Sequence, residues 1–187
     1  MRLARRLLVL ALVMAAGALA CTPLGWRAGL TLLPGEERHD TEALDPAFAA
    51  CLAALLLELT QEGYHPVIRT TWRDATRQQL YHRLGGSQRA SGSLHQAVTA
   101  DGRPAARAAD VADLWPLFLV RHHAAFYLAM RDRAPQHGLV TGGSWAQRDP
   151  RWAAYGLGWD PGHVELDQGC PRPDARGAGA DQDTLPP

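Results

Sequence analysis

The stretches SGSLHQAVTADGRPAARAADV at residues 91–111 and WDPGHVEL at residues 159–166 decide how this chain is interpreted. Each ends in a short segment, AADV and HVEL, that we interpret as a strand, and the first of them is largely apolar. Together they carry the imidazoles of His95 and His163 and the carboxylate of Asp110. Two imidazoles and one carboxylate match an open zinc site, which has three protein ligands and keeps a fourth position for water. The sequence therefore predicts a Zn²⁺ site.

A second carboxylate stands close to the last of these histidines. Asp160 precedes His163 by three residues. A carboxylate that is not itself a ligand can take a proton from water at an open zinc site. The pattern therefore predicts hydrolytic chemistry, with Asp160 as the catalytic carboxylate.

The composition limits the class of protein. The chain has 187 residues and a formal net charge of +0. This length fits one domain with an ordinary core, and we expect a monomer. A basic face is not evident in the sequence, so we predict no nucleic-acid partner.

The N-terminus has the layout of an export signal. Residues 1–20 begin with arginines, continue as an apolar run and end in small residues before Cys21. We predict a signal peptide over 1–20 and location in the periplasm. Two alternatives stay open: cleavage after an ordinary A-x-A pattern, which gives a soluble exported protein, or a degenerate lipobox. In the second case Cys21 is the lipidation site and tethers the protein to the membrane.

The three cysteines bear on that choice. If Cys21 is acylated, Cys51 and Cys170 are free to form a disulfide in an oxidising compartment. The alternative is that Cys51 is a buried apolar residue of a helix.

Periodicity and turn signals predict an α+β fold with a small antiparallel sheet and flanking helices. Helices are predicted over 45–63, 74–85 and 114–133, the first capped by an Asp-Pro pair. Strands are predicted at 64–72 and 107–111, with two more within 137–145 and 162–166.

These elements divide the chain into segments. Glycines and prolines break the periodicity of residues 21–44, which we interpret as a tether. The folded domain is predicted over 45–170. The tail at 171–187 has almost no large apolar residues and is predicted to be disordered.

Four short motifs, taken in order, resemble one family. They are TTWRDATRQQLY at 70–81, Ser93-Leu94-His95 with Ala108-Ala109-Asp110, GLVTGGSW at 138–145 and DPGHVEL at 160–166. The family is the M15 metallopeptidases, also called VanY-like, which includes D-Ala-D-Ala peptidases and L-alanyl-D-glutamate endopeptidases of peptidoglycan. The resemblance covers about residues 65–166 and implies the M15, or hedgehog-like, zinc peptidase fold.

The resemblance also implies roles for particular residues. It implies the zinc ligands His95, Asp110 and His163, with Asp160 as the general base that later protonates the leaving amine. Arg73 is implied as a contact of a substrate carboxylate or of the developing oxyanion, for which a planar guanidinium is suited.

Two further residues are implied to orient the ligands. They are Ser93, two residues before His95, and Glu165, two residues after His163. The GGxW turn at 142–145 favours the endopeptidase branch of the family.

One spacing departs from the family pattern. His95 and Asp110 stand fifteen residues apart, against seven in the family, which indicates an insertion between 96 and 107. Asp101 in that insertion is a rival ligand. We prefer Asp110 because its AADV context is the apolar strand that the site requires.

The function implied is a zinc-dependent peptidase that hydrolyses a peptide bond in peptidoglycan stem peptides, of the L-Ala-D-Glu endopeptidase or D,D-carboxypeptidase type. The alternative is a non-catalytic peptidoglycan-binding envelope lipoprotein that retains the fold. The long spacing between His95 and Asp110 favours that alternative. Retention of Asp160 counts against it, because a binding module has no need of a general base.

Overall fold

The computed structural model describes residues 33–114 and 120–167. In chain order its helices and strands are α1 (Pro46–Gln61), β1 (Pro66–Thr70), α2 (Ala75–Arg83), β2 (Ala108–Asp113), α3 (Val120–Arg133), β3 (Leu139–Thr141), α4 (Pro150–Ala153) and β4 (His163–Leu166). The predicted α+β class is confirmed, and every predicted helix and strand has a counterpart. The helix predicted from residue 114 is described from Val120 onward, since 115–119 lie outside the described residues.

The four strands form one antiparallel sheet in the order β1-β2-β4-β3. Strand β2 therefore pairs with β1 on one side and β4 on the other. Its Asp110 lies opposite Thr70 of β1 and opposite His163 of β4. Side chains alternate between the two faces of a strand, so Asp110 and His163 share one face.

The opposite face of the sheet carries the core. Ala109 and Val111 of β2 and Val164 of β4 belong to a buried cluster with side chains of α1 and α3. The largest members from the two helices, each at most 1 % exposed, are Leu52, Leu55, Leu59, Phe126 and Met130. Full burial of a side chain of this size stabilises the fold by about 1.5–3 kcal/mol. One face is thus committed to packing, and the other is available for polar chemistry.

Helix α1 begins as the sequence predicts. The Asp45 side chain accepts hydrogen bonds from the backbone N–H groups of Ala47 (2.9 Å) and Phe48 (3.2 Å), and Pro46 occupies the first turn. These bonds satisfy donors that a helix N-terminus otherwise leaves unpaired.

The segment before α1 differs from the predicted tether. Its described part, residues 33–44, packs against the domain: backbone hydrogen bonds join Arg38 to Thr71 and Trp72, and Leu44 is 5 % exposed beside Ala106. Because these backbone groups and the Leu44 side chain are buried against the fold, the packed region extends back beyond residue 45.

Cys51 lies on α1 and is disulfide-bonded. The signal peptide predicted at 1–20, the tail at 171–187, Cys21 and Cys170 lie outside the described residues, so the predicted partner and the lipidation remain predictions. Within 33–114 and 120–167, none of the helices combines the length and the apolar character needed to cross a bilayer.

Candidate metal centre

Three side chains on the open face of the sheet meet at one point. The distances between His95 Nε2, His163 Nδ1 and Asp110 Oδ1 are 3.3 Å along each of the three edges. Ligand atoms placed about 2.0–2.1 Å from a tetrahedral zinc ion are about 3.3–3.4 Å apart. The triangle therefore has the size of one face of a zinc coordination tetrahedron, and the cluster can hold a metal ion.

The sheet supplies two corners of this triangle. Asp110 and His163 are direct partners in the pairing of β2 with β4. Cross-strand partners have Cβ atoms about 4.5–5.5 Å apart, which brings a carboxylate and an imidazole into contact. Strand register alone is therefore enough to join these residues, which are 53 positions apart in the chain.

The third corner comes from a short 3-10 turn over Leu94–Gln96. Ser93 caps this turn with its hydroxyl, which accepts from the N–H of His95 at 3.4 Å, and the Gln96 side chain accepts from the N–H of Ser93 at 3.2 Å. These reciprocal bonds fix the backbone that carries His95, whose side chain is 1 % exposed. Ser93 thus contacts the backbone of the turn that carries His95, and its predicted role in orienting the ligand stays a prediction.

The outer nitrogen of each histidine is bonded to an oxygen acceptor. His95 Nδ1 lies 2.6 Å from the carbonyl oxygen of Thr71, and His163 Nε2 lies 3.0 Å from a carboxylate oxygen of Glu165. Because these oxygens only accept, both outer nitrogens carry the proton and donate it. Once His163 gives up its second proton, the inner nitrogens of both rings would offer their lone pairs to an ion bound beside Asp110. Partners of this kind are what orient histidine ligands in metal sites.

Burial and hydrogen bonds to carboxylates shift the pKa values of the two histidines. Burial lowers the pKa of His95. Burial also acts to lower the pKa of His163, but hydrogen bonds to the Asp110 and Glu165 carboxylates outweigh it and raise that pKa to about 9. Without a cation, the proton that offsets the three converging lone pairs is therefore carried by His163. A bound metal ion has to displace it.

The two carboxylates around His163 are held in the ionised form. Burial acts to raise the pKa of Asp110, but His95, His163 and Arg73 hold it well below its usual range. The hydrogen bond from His163 lowers the pKa of Glu165. Both groups are thus available as anions, one as a ligand and one as the acceptor that orients a ligand.

Asp160 lies beside the cluster without belonging to it. It lines the same cavity as His95 and His163. Burial, reinforced by the charge of Asp110, raises the pKa of Asp160 to about 6. A carboxyl group with a pKa near neutrality can both accept and return a proton, as a general base must.

Two glycines explain how the Asp160 segment reaches its position. A Cβ atom on Gly142 would lie 2.0 Å from the carbonyl oxygen of Asp160, and one on Gly158 would lie 2.1 Å from the carbonyl oxygen of Gly142. The turn after β3 therefore packs backbone to backbone against residues 158–160. This contact gives the first glycine of the GG pair, Gly142, a physical reason.

Arg73 is placed between Asp110 and the ring of Tyr81. Its Nη2 donates to Asp110 Oδ2 at 3.1 Å, and its guanidinium carbon lies 4.9 Å from the centroid of the Tyr81 ring. Its Nε is buried and has no hydrogen-bond partner among the described residues. Arg73 is therefore adjacent to the cluster and retains a donor that the described protein atoms do not use.

Two cavities adjoin the site. One of about 270 Å³ is lined by His95, His163, Trp145 and Trp159, and a second of about 340 Å³ is lined by Asp110, Thr70, Tyr127 and Trp152. The set that lines both consists of Arg73, Gly86 and Asp160. Open space therefore lies on two sides of the catalytic candidates.

The insertion after His95 forms an exposed turn. Val98 pairs with Pro104, and Asp101 is bonded to Thr99 and, at 2.7 Å, to Arg103. The Asp101 side chain is 61 % exposed. Among the described residues, the group with metal-binding geometry contains Asp110 and does not contain Asp101.

Sequence reasoning did not find several residues that support the site. The Thr71 carbonyl has no signal, because any residue offers a backbone oxygen. Tyr81 and Gln78 lie in the motif at 70–81, but their contacts were not predicted. Glu37, which contacts Tyr81, lies in the segment interpreted as a tether.

The chain was compared with known proteins. No protein-family model matches it, and no curated protein matches it. A solved structure of the LdcB LD-carboxypeptidase, which reveals the molecular basis of peptidoglycan recognition in that protein, is similar with a TM-score of 0.44 and 16% identity. The match covers 73% of this chain and 64% of LdcB, so it spans less than two thirds of that protein. We therefore draw the function of this chain from its own residues.

Proposed function

We propose that this protein is a zinc-dependent peptidase of the M15 type that hydrolyses a peptide bond in peptidoglycan stem peptides. The observation that carries this proposal is the triangle of His95, Asp110 and His163, with edges of 3.3 Å and converging lone pairs. Two nitrogen donors and one carboxylate are a typical catalytic zinc set. The ordered motifs that resemble M15 peptidases support the peptidoglycan substrate, as does the predicted export.

The ligand residues have distinct tasks in this proposal. His95, Asp110 and His163 hold the ion, while the Thr71 carbonyl and Glu165 keep the histidines in the correct tautomer. A zinc ion in such a site polarises a carbonyl group and lowers the pKa of water to about 7.

The proton transfers belong to Asp160. Its carboxylate accepts a proton from the attacking water and returns it to the amine of the leaving group, and its pKa of about 6 suits both steps. Arg73, which lines both cavities together with Asp160, contacts the developing oxyanion or a carboxylate of the substrate. Trp145, whose ring lies 5.1 Å from that of His163, shields the reacting groups from bulk water.

The motif at the third position of the resemblance favours an internal bond over a terminal one. The GGxW turn at 142–145 resembles the endopeptidase branch of the M15 family. We therefore favour the endopeptidase type. The two cavities that share Arg73 and Asp160 as lining residues leave room for substrate beside the proposed catalytic groups.

The non-catalytic alternative loses the feature that favoured it. The long spacing between His95 and Asp110 is taken up by an exposed turn, and the cluster closes regardless of it. A binding module also has no use for a carboxyl group whose pKa is raised to about 6 beside the cluster.

The direct test is the zinc content and hydrolytic activity of the purified mature protein. We expect one equivalent of zinc, release of fragments from an L-Ala-D-Glu-containing stem peptide, loss of activity with a chelator, and recovery on adding zinc. Absence of zinc from the wild type even after reconstitution, together with stem-peptide binding without cleavage, would favour the envelope binding protein.

A further inference from the structure

A buried carboxylate from the N-terminal segment lies behind the candidate site. The Glu37 side chain is 3 % exposed, as is that of its ion-pair partner Arg77, at 3.3 Å. Charged side chains are almost never buried to this degree unless they are paired. The proposed chemistry uses neither residue, so their burial calls for a separate account.

Glu37 has more than the ion pair to satisfy it. Its Oε1 accepts from the Thr70 hydroxyl at 2.9 Å, and its Oε2 accepts from the Tyr81 hydroxyl at 2.8 Å. Burial, with Glu37 beside it, raises the pKa of Tyr81 to about 12. Tyr81 is therefore protonated at any physiological pH and donates its proton to Glu37.

The segment that carries Glu37 is itself anchored. Arg77 Nη2 donates to the carbonyl oxygens of Leu33 (3.0 Å) and Gly35 (2.9 Å). The Asp74 N–H donates to the Glu36 carbonyl at 3.0 Å. At Gly35, φ is 87°, and a Cβ atom there would lie 2.5 Å from the backbone nitrogen of Arg77. Only glycine therefore allows this close approach.

From Glu37 a continuous set of contacts leads to the metal ligands. The Tyr81 ring, oriented by its bond to Glu37, lies against the Arg73 guanidinium at 4.9 Å. Arg73 in turn donates to Asp110 Oδ2 at 3.1 Å. The other oxygen of the same carboxylate, Oδ1, is one corner of the triangle of candidate ligand atoms. A cation over an aromatic face is attracted by the ring, so the position of Tyr81 affects that of Arg73.

We propose that Glu37 is a positioning residue of the site: through Tyr81 it holds the Arg73 guanidinium against the ligand Asp110. The N-terminal segment is therefore a part of the active site rather than only a link to it. This inference rests on the proposed peptidase function, because that proposal makes Arg73 a catalytic group.

A double-mutant cycle tests the inference. We would measure kcat/KM and the zinc Kd, the latter by competition with a chelator, for Tyr81→Phe in the wild-type and Arg73→Ala backgrounds. Tyr81→Phe keeps the ring and leaves the Glu37–Arg77 pair intact, so the fold is preserved. In the wild-type background we expect Tyr81→Phe to lower kcat/KM and to weaken zinc binding by about fivefold, which corresponds to the net free energy of one hydrogen bond. In the Arg73→Ala background we expect almost no further change in either quantity.

A matched pair of carboxylate variants completes the design. Glu37→Gln should lower kcat/KM at least as much as Tyr81→Phe, and its effect should also vanish in the Arg73→Ala background. Glu36→Gln, at the neighbouring exposed position, should leave activity unchanged. The same loss from Tyr81→Phe in both backgrounds, in kcat/KM and in zinc Kd alike, would overturn the inference.

A measurement on the metal-free protein separates this inference from the proposed function. The Nε–H resonance of Arg73, assigned by its absence in Arg73→Lys, reports the immobilisation of the guanidinium. Tyr81→Phe and Glu37→Gln should shift or broaden it, whereas Glu36→Gln should not. An unchanged resonance in both variants contradicts the positioning role, even if the protein binds no zinc.

Discussion

Two aspartates that follow His95 in the chain have opposite surroundings. Asp101 lies in an exposed turn, where it pairs with Arg103, whose side chain is 77 % exposed. Asp110 lies in a paired strand, where it contacts two imidazoles and a guanidinium that is 8 % exposed. The Asp101 carboxylate is surrounded by water, whereas Asp110 is held 3.3 Å from a nitrogen of each imidazole, in an arrangement that can hold a metal ion. Chain spacing favours Asp101, which lies six residues after His95, but the strand register places Asp110 opposite His163.

Removal of the Asp110 carboxylate should have the strongest consequence, the loss of the metal. Asp110→Ala should reduce the zinc content from one equivalent toward zero and abolish hydrolysis, because one of three ligands is missing. Asp101→Ala is the matched control. It should keep full zinc content and leave the free energy of unfolding almost unchanged, as expected for an exposed ion pair. Loss of zinc from Asp101→Ala would reverse the assignment.

The second largest effect on activity is expected when the proton acceptor is removed and the metal stays bound. Asp160→Asn should lower kcat by about 10²–10⁴-fold, the usual contribution of a general base, while zinc stays at one equivalent. His163→Ala should lose both activity and zinc. The division of roles would be refuted by equal zinc loss in the two variants.

A smaller effect concerns the stability of the metal-free protein as a function of pH. Because His163 has a pKa of about 9 when folded, its protonated form stabilises the native state fully below about pH 6.5, the usual value in an unfolded chain. The free energy of unfolding should therefore fall by about 3 kcal/mol as the pH rises from about 6.5 to 9. Denaturant titrations in the presence of a chelator measure it.

The control for this pH dependence is His163→Gln, which cannot carry the proton. Its free energy of unfolding should be almost independent of pH over the same interval. Added zinc should oppose the trend in the wild type, because zinc binding displaces the proton and tightens as the pH rises. A wild-type protein that becomes more stable toward pH 9 without metal would contradict the raised pKa.

The smallest effect concerns the backbone contact that places Asp160. Gly142→Ala puts a Cβ atom 2.0 Å from the Asp160 carbonyl oxygen, so the turn must shift. We expect a loss of about 1–3 kcal/mol in the free energy of unfolding and a lower kcat. Gly86→Ala, where the nearest atom would lie at 3.6 Å, is the control for stability. Equal melting temperatures for the two variants would mean that the contact does not constrain the site.

Much of the fold could be predicted from local signals. The Asp45-Pro46 cap, the apolar period of α1 and the runs AADV and HVEL each determine their element through short-range chemistry. The identities of the candidate ligands were also predictable, because few residue types bind zinc and their motif contexts are specific. The helix bounds agree with the predictions to within a few residues where the structure describes them.

The supporting residues could not be predicted in the same way. The Thr71 carbonyl that orients His95 is a backbone atom, so no side chain marks it. Glu37 lies among glycines and prolines that predict a link, and its burial depends on Arg77 and Tyr81, which are 40 and 44 positions away. Contacts at such separations leave no periodic signal in the chain.

Local signals in the chain specify which elements form and which side chains have the chemistry for a metal centre, because propensity, capping and ligand type are local properties. Which atoms meet depends on packing: the pairing of β2 with β4 joins Asp110 to His163, and the capped turn at Leu94–Gln96 brings in His95. Packing also placed Asp101 in solvent and buried Glu37 behind Arg73. Strand register and burial arise from packing across the whole domain, so only the folded chain specifies them.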